Sequence, residues 1–118
     1  MIDLPANRRL TKHFIDQLPV VVTLTPRSRV SKPAGGFVWA EQAPRAPQTF
    51  TIIEQPADPV PTVTVDGVER QIEFVLLGEH DAQIGREDVF THQGKDCRVI
   101  ELAYENGWER RATVVARG

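Results

Sequence analysis

The feature that most constrains the fold is the Asn106-Gly107 pair, which lies between two runs of alternating apolar and polar residues near the C-terminus. Asn-Gly between such runs is a strong signal for a β-hairpin. A second turn, at Gln93-Gly94, separates a short apolar run at 89–92 from the longer run at 97–104. Residues 88–118 are therefore predicted to form three consecutive antiparallel strands, the last of them at 108–117.

Two registers are possible for the last hairpin, and burial of one face should select between them. A two-residue loop mixes apolar and charged side chains on both faces. A three-residue loop of 105–107 places Ile100 opposite Ala112 and pairs Glu101 with Arg111 on the other face, so we predict that loop. It collects on one face the apolar and aromatic side chains Ile100, Leu102, Tyr104, Trp108, Ala112 and Val114.

Composition indicates a folded domain with uneven charge. The 118 residues suit one domain, and 41% hydrophobic and 25% charged residues are typical of a chain with a core. Residues 1–48 hold seven Lys/Arg against three Asp/Glu, and residues 49–118 hold seven against thirteen, so a basic and an acidic region are expected. No apolar run is long enough for a membrane span or a signal peptide, and we expect no membrane partner.

The N-terminal residues 1–18 are predicted to form an arm. Leu10, Phe14 and Leu18 recur every four residues, which would stripe one face of a short helix that Pro19 ends. A short isolated helix is marginal in water, so the arm should order against its own barrel or a neighbouring subunit. An extended arm is the alternative.

The remainder, 19–118, is predicted to be all-β. Period-two alternation and turn residues indicate six or seven strands at regular spacing, which is typical of a small β-barrel or a sandwich. We prefer the barrel because closure removes exposed edges. The predicted strands are 19–25, 48–54, 62–65, 68–78, 89–92, 97–104 and 108–117.

The segment 26–47 is the exception, a long insertion that carries four of the nine prolines. Loops longer than ~12–15 residues are usually functional or disordered. Phe37 and Trp39 indicate one limb of a small hairpin around Gly35-Gly36. Exposed, these aromatics would form a partner surface; alternatively, they fold back and cap the core. The candidate contact residues of this loop are Arg27, Arg29, Lys32, Gly35, Gly36, Phe37, Trp39 and Arg45.

No motif in the sequence predicts chemistry. His13, His80 and His92 lack metal-ligand spacing, and Cys97 alternates with Val99 as a small side chain in a sheet would. A single cysteine allows no internal disulfide, and no phosphate-binding glycine loop is present. We predict no catalytic residue, no metal site and no cofactor, and therefore no enzyme. Aromatics beside basic residues fit single-stranded nucleic acid loosely, without sequence-specific recognition.

Over nearly its whole length the chain resembles the head-to-tail stopper proteins of long-tailed phages, also called head-closure or head–tail joining proteins, above all those of phages that infect actinobacteria. The stretches that carry the resemblance are LTPR followed by PAGGFVW at 24–39, VDGVER at 65–70, and the C-terminal NG-x-ERRA-x-VVARG at 106–118.

This resemblance implies a small β-barrel with a long inserted loop, assembled as a ring of six in the virion neck. The ring would lie between the adaptor and tail-terminator rings, close the DNA-filled head and dock the tail. The loop would gate the channel or contact an adjacent ring, near packaged double-stranded DNA and without sequence preference. Assembly would occur in the cytoplasm of the bacterial host. The alternatives are another neck component, such as a tail terminator, and a small barrel that binds nucleic acid or protein. Candidate subunit contacts are Arg8, Arg9, Phe14, Glu101, Glu109, Arg110 and Arg111.

Overall fold

The structure, a computed structural model, describes residues 3–54, 62–65, 67–103 and 106–116. This part of the chain contains one helix and nine strands. In chain order they are α1 Leu4–Gln17, β1 Val20–Val22, β2 Arg27–Ser31, β3 Phe37–Glu41, β4 Gln48–Glu54, β5 Thr62–Val65, β6 Val68–Glu79, β7 Val89–His92, β8 Lys95–Ala103 and β9 Glu109–Ala116.

Six of the strands form a nearly closed antiparallel barrel in the order β1-β4-β6-β9-β8-β7. Thr25, just after β1, and Val89, at the start of β7, exchange two backbone hydrogen bonds of 2.9 and 3.0 Å across the remaining gap. β5 pairs with β6 outside this ring, and β2 and β3 form a separate two-stranded sheet. The predicted small all-β barrel is therefore confirmed.

The core lies inside the barrel and is built from the alternating apolar positions of the strands. Leu24, Leu76, Val99 and Val114 have no exposed surface, and Phe50 is 1% exposed. Phe50, Leu76, Val99 and Val114 lie on the inward faces of β4, β6, β8 and β9, as period-two alternation requires, and Leu24 lies between β1 and β2. The buried core contains Val22, Leu24, Phe50, Phe74, Leu76, Ala82, Ile84, Phe90, Cys97, Val99, Ala112 and Val114.

Local turn and packing signals account for the positions of several strands. The predicted strands 48–54, 62–65 and 89–92 are confirmed at those bounds. The turn between β7 and β8 is confirmed, with positive φ at both Gln93 and Gly94, as in a type I′ turn. Gly78, the predicted end of β6, lies one residue before its end, where an added Cβ would meet the Phe50 ring at 2.7 Å. The predicted connection 55–61 and turn residue Asp66 lie outside the described residues.

The predicted register of the last hairpin is wrong. Ala112 lies opposite Leu102, not Ile100, and Glu101 lies opposite Thr113, not Arg111. Near the turn the pairing is displaced by two residues from the prediction, and at Val99, which lies opposite Val114, it is displaced by one. The two displacements differ because a β-bulge in β8 between Val99 and Glu101 shifts the register by one residue, whereas the prediction assumed an uninterrupted ladder.

On the N-terminal side of the bulge, away from the turn, Val99 of β8 lies opposite Val114 of β9, in the register that a two-residue loop would produce. Beyond it, Leu102 lies opposite Ala112. Because Ala112 and Val114 are two residues apart on β9, the bulge lets Val99 and Leu102 face the same core although they are three residues apart. Tyr104 and Glu105, which the prediction also used, lie outside the described residues.

The arm is a helix that orders against its own barrel, but not through the predicted stripe. Asp3 caps it by accepting a hydrogen bond from the Ala6 amide, at 3.1 Å. The side chains buried against the barrel are Thr11 and Ile15. The predicted stripe is largely exposed: Leu10 65%, Phe14 52% and Leu18 75%. Thr11 can be buried because its hydroxyl donates to the Asn7 carbonyl oxygen, at 3.0 Å.

Candidate interaction site: the β2–β3 hairpin

The 26–47 insertion is an ordered hairpin. β2 pairs with β3 in antiparallel register from Arg27 opposite Glu41 to Ser31 opposite Phe37. The Lys32 amide donates to the Gly36 carbonyl oxygen at 3.1 Å, and positive φ angles at Gly35 (96°) and Gly36 (75°) allow the chain to reverse. The predicted hairpin limb at 37–39 is confirmed.

Its two aromatic side chains pack on each other and on arginines. The Phe37 and Trp39 rings meet edge to face, with centroids 5.8 Å apart and planes at 88°. The Arg29 guanidinium lies 3.6 Å from the Phe37 centroid, and that of Arg27 lies 5.1 Å from the Trp39 centroid. Phe37 is 43% exposed, and neither ring belongs to the barrel core. The alternative in which these aromatics cap the core is therefore wrong.

A buried ion-pair cluster joins the first strand of the hairpin to the barrel. Arg27 donates from Nε to the Glu87 carbonyl oxygen at 3.1 Å and from Nη2 to Glu87 Oε2 at 3.0 Å. Arg98 of β8 donates to both oxygens of the same carboxylate, at 2.7 and 2.8 Å. The three side chains are at most 17% exposed, so the charges interact with little screening by water. Glu87 also has a positive φ of 76°, unusual for a residue with a side chain.

A second ion pair fixes the chain where it returns from the hairpin. Arg45 Nε donates to Asp88 Oδ2 at 2.9 Å, and the Gly85 amide donates to the same oxygen at 2.9 Å. The Asp88 side chain is only 2% exposed. The Arg45 amide in turn donates to the Leu24 carbonyl oxygen at 2.8 Å. Both ends of the hairpin are thus bound to the two consecutive acids that precede β7.

The basic residues of the insertion therefore divide into two groups. Arg27 and Arg45 are engaged in ion pairs at the base of the hairpin. Arg29 and Lys32 lie on exposed parts of the hairpin. Sequence reasoning did not identify the anchoring role of Glu87, because acids at turns are ordinary. The available signal was an arginine at each end of a long insertion, with two adjacent acids elsewhere in the chain.

Three of the predicted subunit-contact residues, Phe14, Glu109 and Arg111, line one groove between α1 and the barrel. Arg8 Nε donates to the Gly107 carbonyl oxygen at 3.2 Å, and Arg110 Nη1 donates to that of Ala82 at 2.6 Å. Glu109 forms an ion pair with Arg111 at 2.9 Å. The other three candidates, all exposed, are Arg9, Phe14 and Glu101.

The one cysteine of the chain, Cys97, lies in the core of the barrel. Cys97 is fully buried, and burial raises the pKa of its thiol above 9.0, which keeps it protonated. Within the described ranges, no three His, Cys, Asp or Glu residues are grouped so that they could hold a metal ion. No helix in the same part of the chain has the length and apolar character needed to cross a membrane.

Comparison with known proteins yields a likeness of fold. No protein-family model matches the sequence, and no curated protein matches it either. A solved structure titled "Virion of native gene transfer agent (GTA) particle" contains a chain that superimposes on this one with a TM-score of 0.52. The superposition covers 82% of this chain and 91% of that chain, at 13% sequence identity. At that identity the match establishes a shared barrel architecture across most of both chains.

Proposed function

We propose that this protein is a structural subunit of the neck of a tailed-phage or phage-like virion, and specifically a head-to-tail stopper. Six copies form a ring between the adaptor and tail-terminator rings. The ring closes the DNA-filled head and provides the docking surface for the tail. The subunits assemble in the cytoplasm of the bacterial host.

The observation that carries the proposal is the exposed hairpin and its base. A two-stranded hairpin is marginally stable in water on its own, yet this one extends from the barrel with Phe37 and Val38 more than 40% exposed. Ion pairs from Arg27 and Arg45 hold its base. Such an arrangement suits an element that contacts a partner or narrows a channel, because its apolar surface is otherwise left in water.

The likeness of fold supports a virion protein. The matching chain comes from a structure whose title describes a virion particle, and the match extends over nine-tenths of that chain. The sequence resemblance to stopper proteins points to the same class and to the neck in particular. The absence of a chemical motif is consistent with a role in which ring closure is the mechanism.

Charge supports a position beside the channel. Arg29 and Lys32 are exposed on the hairpin, and residues 28–40 contain no acid. Positive charge facing the lumen would attract packaged DNA through its phosphates without reading sequence. The hairpin either gates the channel or contacts an adjacent ring, and both arrangements use the same exposed face.

The test is a variant of the hairpin face that leaves its base intact. In particles whose gene for this chain carries Arg29→Ser, Lys32→Ser and Phe37→Ser together, we expect heads that lose DNA or fail to join tails, seen by electron microscopy and DNA quantification. Lys95→Ser is the control, because Lys95 is 55% exposed at the start of β8, where it pairs with Glu73 and not with the hairpin. Particles as infectious as the control would refute the stopper assignment.

The same experiment separates the alternatives. Closed, DNA-filled heads carrying tails of irregular length would indicate a tail terminator. A chain absent from purified particles would indicate the small binding barrel instead. The observation that favours the latter is the Arg29–Phe37 stack, which resembles the platforms on which single-stranded bases stack. Binding of a single-stranded oligonucleotide, lost in the hairpin variant and weakened by salt, would support it.

A further inference from the structure

The barrel is left incomplete at one place, the seam between β1 and β7. At one end of the seam, Thr25 and Val89 exchange both backbone hydrogen bonds of an antiparallel bridge. The next residues with the same backbone orientation on the two sides are Thr23 and Thr91, and they form no bridge. The seam is therefore joined at Thr25 and Val89 and is unpaired from there towards the start of β1.

Each side of the seam presents a row of backbone groups without a strand partner. Among the strands that the structure describes, β1 pairs with β4 only and β7 pairs with β8 only. Successive residues of a strand direct their amides and carbonyls to opposite sides, so those of Val21 and Thr23 point into the seam from one side and those of Thr91 from the other. Backbone donors and acceptors arranged in this way are matched by an extended polypeptide.

A cavity on the inner side of the seam leaves part of the core uncovered. It has a volume of about 940 Å³ and lies between Val20 of β1 and His92 of β7, with Ile52 and Phe74 in its wall. Val20 and Ile52 pack against the buried core but are themselves only partly buried. Leu18 lines the same cavity and is 75% exposed. Inward-facing side chains of a segment in the seam would therefore bury apolar surface here.

The outer side of the seam is acidic. A second cavity, of about 430 Å³, is lined there by Val21, Thr23 and Thr91 and by the carboxylates of Glu41 and Asp96, and none of its described lining residues is basic. Asp96 accepts a hydrogen bond from the Thr91 hydroxyl at 3.0 Å and forms no ion pair with the bases that the structure describes. Outward-facing side chains of a segment in the seam are therefore favoured when they are basic.

We propose that the seam between β1 and β7 binds an extended segment of another protein, which completes the barrel as an additional strand. The segment alternates apolar side chains, which enter the inner cavity, with basic side chains, which face Glu41 and Asp96. Backbone pairing supplies the affinity, and the alternation fixes the register. This inference does not depend on the proposed function, because it follows from the two unpaired edges and the cavities between them. In a virion neck, an adjacent protein would supply the segment.

The test uses as its probe a synthetic peptide of four valine–lysine repeats, acetylated and amidated at its ends. Isothermal titration calorimetry should show saturable binding, and amide hydrogen exchange should slow at Val21, Thr23 and Thr91. Replacing every valine of the peptide by serine tests the inner cavity, and replacing every lysine by glutamate tests the outer one. Each replacement should weaken binding by about tenfold or more, because it removes the apolar or the charge complementarity.

Proline substitutions in the protein test the backbone pairing. Thr23→Pro and Thr91→Pro each remove an amide donor that points into the seam and that no barrel strand uses, so affinity for the peptide should fall about tenfold. Thr91→Val is the matched control, because it keeps the amide and removes only the hydroxyl that donates to Asp96. It should bind the peptide as the wild type does. Circular dichroism identifies a variant that fails to fold, and Thr23→Pro, outside both strands, provides the test if Thr91→Pro unfolds.

Three results would overturn the inference. The first is that the valine–lysine peptide does not bind the wild-type protein. The second is that the protection from exchange falls on β5 or on the hairpin and not on the seam. The third is equal affinity for a peptide N-methylated at alternate residues, since that peptide cannot pair with both edges. Failure of the virion assignment is distinct, because the peptide would then still bind in solution while the chain is absent from particles.

Discussion

The barrel and the hairpin of this protein are stabilised in different ways. The barrel buries inward-facing side chains such as Leu76 and Val114 completely, and its strands are hydrogen-bonded in a nearly closed ring. The hairpin leaves Phe37 and Val38 in water and is joined to the barrel by arginine–carboxylate pairs at its base. Burial provides stability in the first region, whereas hydrogen-bonded charges orient the second.

Because of this difference, substitutions that affect stability and substitutions that affect contacts with partners should fall at different positions in the chain. Substitutions at the hairpin tip, residues 29–38, should change what the protein contacts and leave the barrel intact, because no tip side chain belongs to the core. Substitutions in the barrel should act through stability. The base of the hairpin, where Glu87 meets Arg27 and Arg98, should affect both.

The largest effect is expected from Leu76→Ala in the barrel. Leu76 has no exposed surface, so its loss leaves a cavity, and the free energy of unfolding should fall by about 2–5 kcal/mol. Urea unfolding measures this, with Val68→Ala as the control because Val68 is 52% exposed. The control should stay within about 0.5 kcal/mol of the wild type. Equal losses for the two variants would contradict the assignment of the core.

A smaller effect is expected from Glu87→Gln at the base of the hairpin. The amide keeps the size of the side chain but removes the charge that both arginines contact, so we expect a loss of about 1–3 kcal/mol. Amide hydrogen exchange should accelerate in β2 and β3 more than in β6. Glu101→Gln, on an exposed side chain, should leave both measurements unchanged. Unaltered exchange in the hairpin would show that Glu87 does not hold it.

The buried thiol of Cys97 should make barrel stability depend on alkaline pH. Burial raises its folded-state pKa above 9.0, so the folded protein binds this proton more tightly than the unfolded chain does. The stability that the protonated thiol contributes is fully present below pH 9.0, and it is lost as the pH rises from there through the folded-state pKa. The difference in unfolding free energy between wild type and Cys97→Ala should therefore shrink above pH 9.0. If the unfolding free energies of the two proteins changed with pH in parallel, Cys97 would not be the source of the pH dependence.

The smallest effect on stability is expected from Phe37→Ala. The ring is 43% exposed and packs on Trp39 and Arg29 of the same hairpin, so the free energy of unfolding should change by no more than about 0.5 kcal/mol. Thermal unfolding monitors this change. A destabilisation as large as that of Leu76→Ala would mean that the hairpin belongs to the core after all.

Much of the fold could be predicted because its signals are local. The strand 48–54 alternates apolar and polar residues, and the turn at Gln93-Gly94 uses residues that tolerate positive φ. The hairpin limb at 37–39 follows from aromatic and β-branched residues beside two glycines. Each of these signals lies within a few residues of the structure that it predicts.

The candidate site was predictable only in part. Phe37, Trp39 and Arg29 were identified as a possible contact surface from their residue types and spacing. The sequence did not predict which basic residues anchor the hairpin and which are exposed, because Arg27 and its partner Glu87 are 60 residues apart. A contact over that distance has no local pattern.

The sequence by itself determined where most strands and turns lie and that the 26–47 insertion is unusual, and it left a helical and an extended arm open. The tertiary structure decided which helical face is buried, since Thr11 and Ile15 pack on the barrel and Leu10 does not. It also decided the register of the last hairpin, through the bulge that aligns Val99 and Leu102. The reason is that propensity and periodicity act between neighbours, whereas a packed core selects among faces and registers that are locally equivalent.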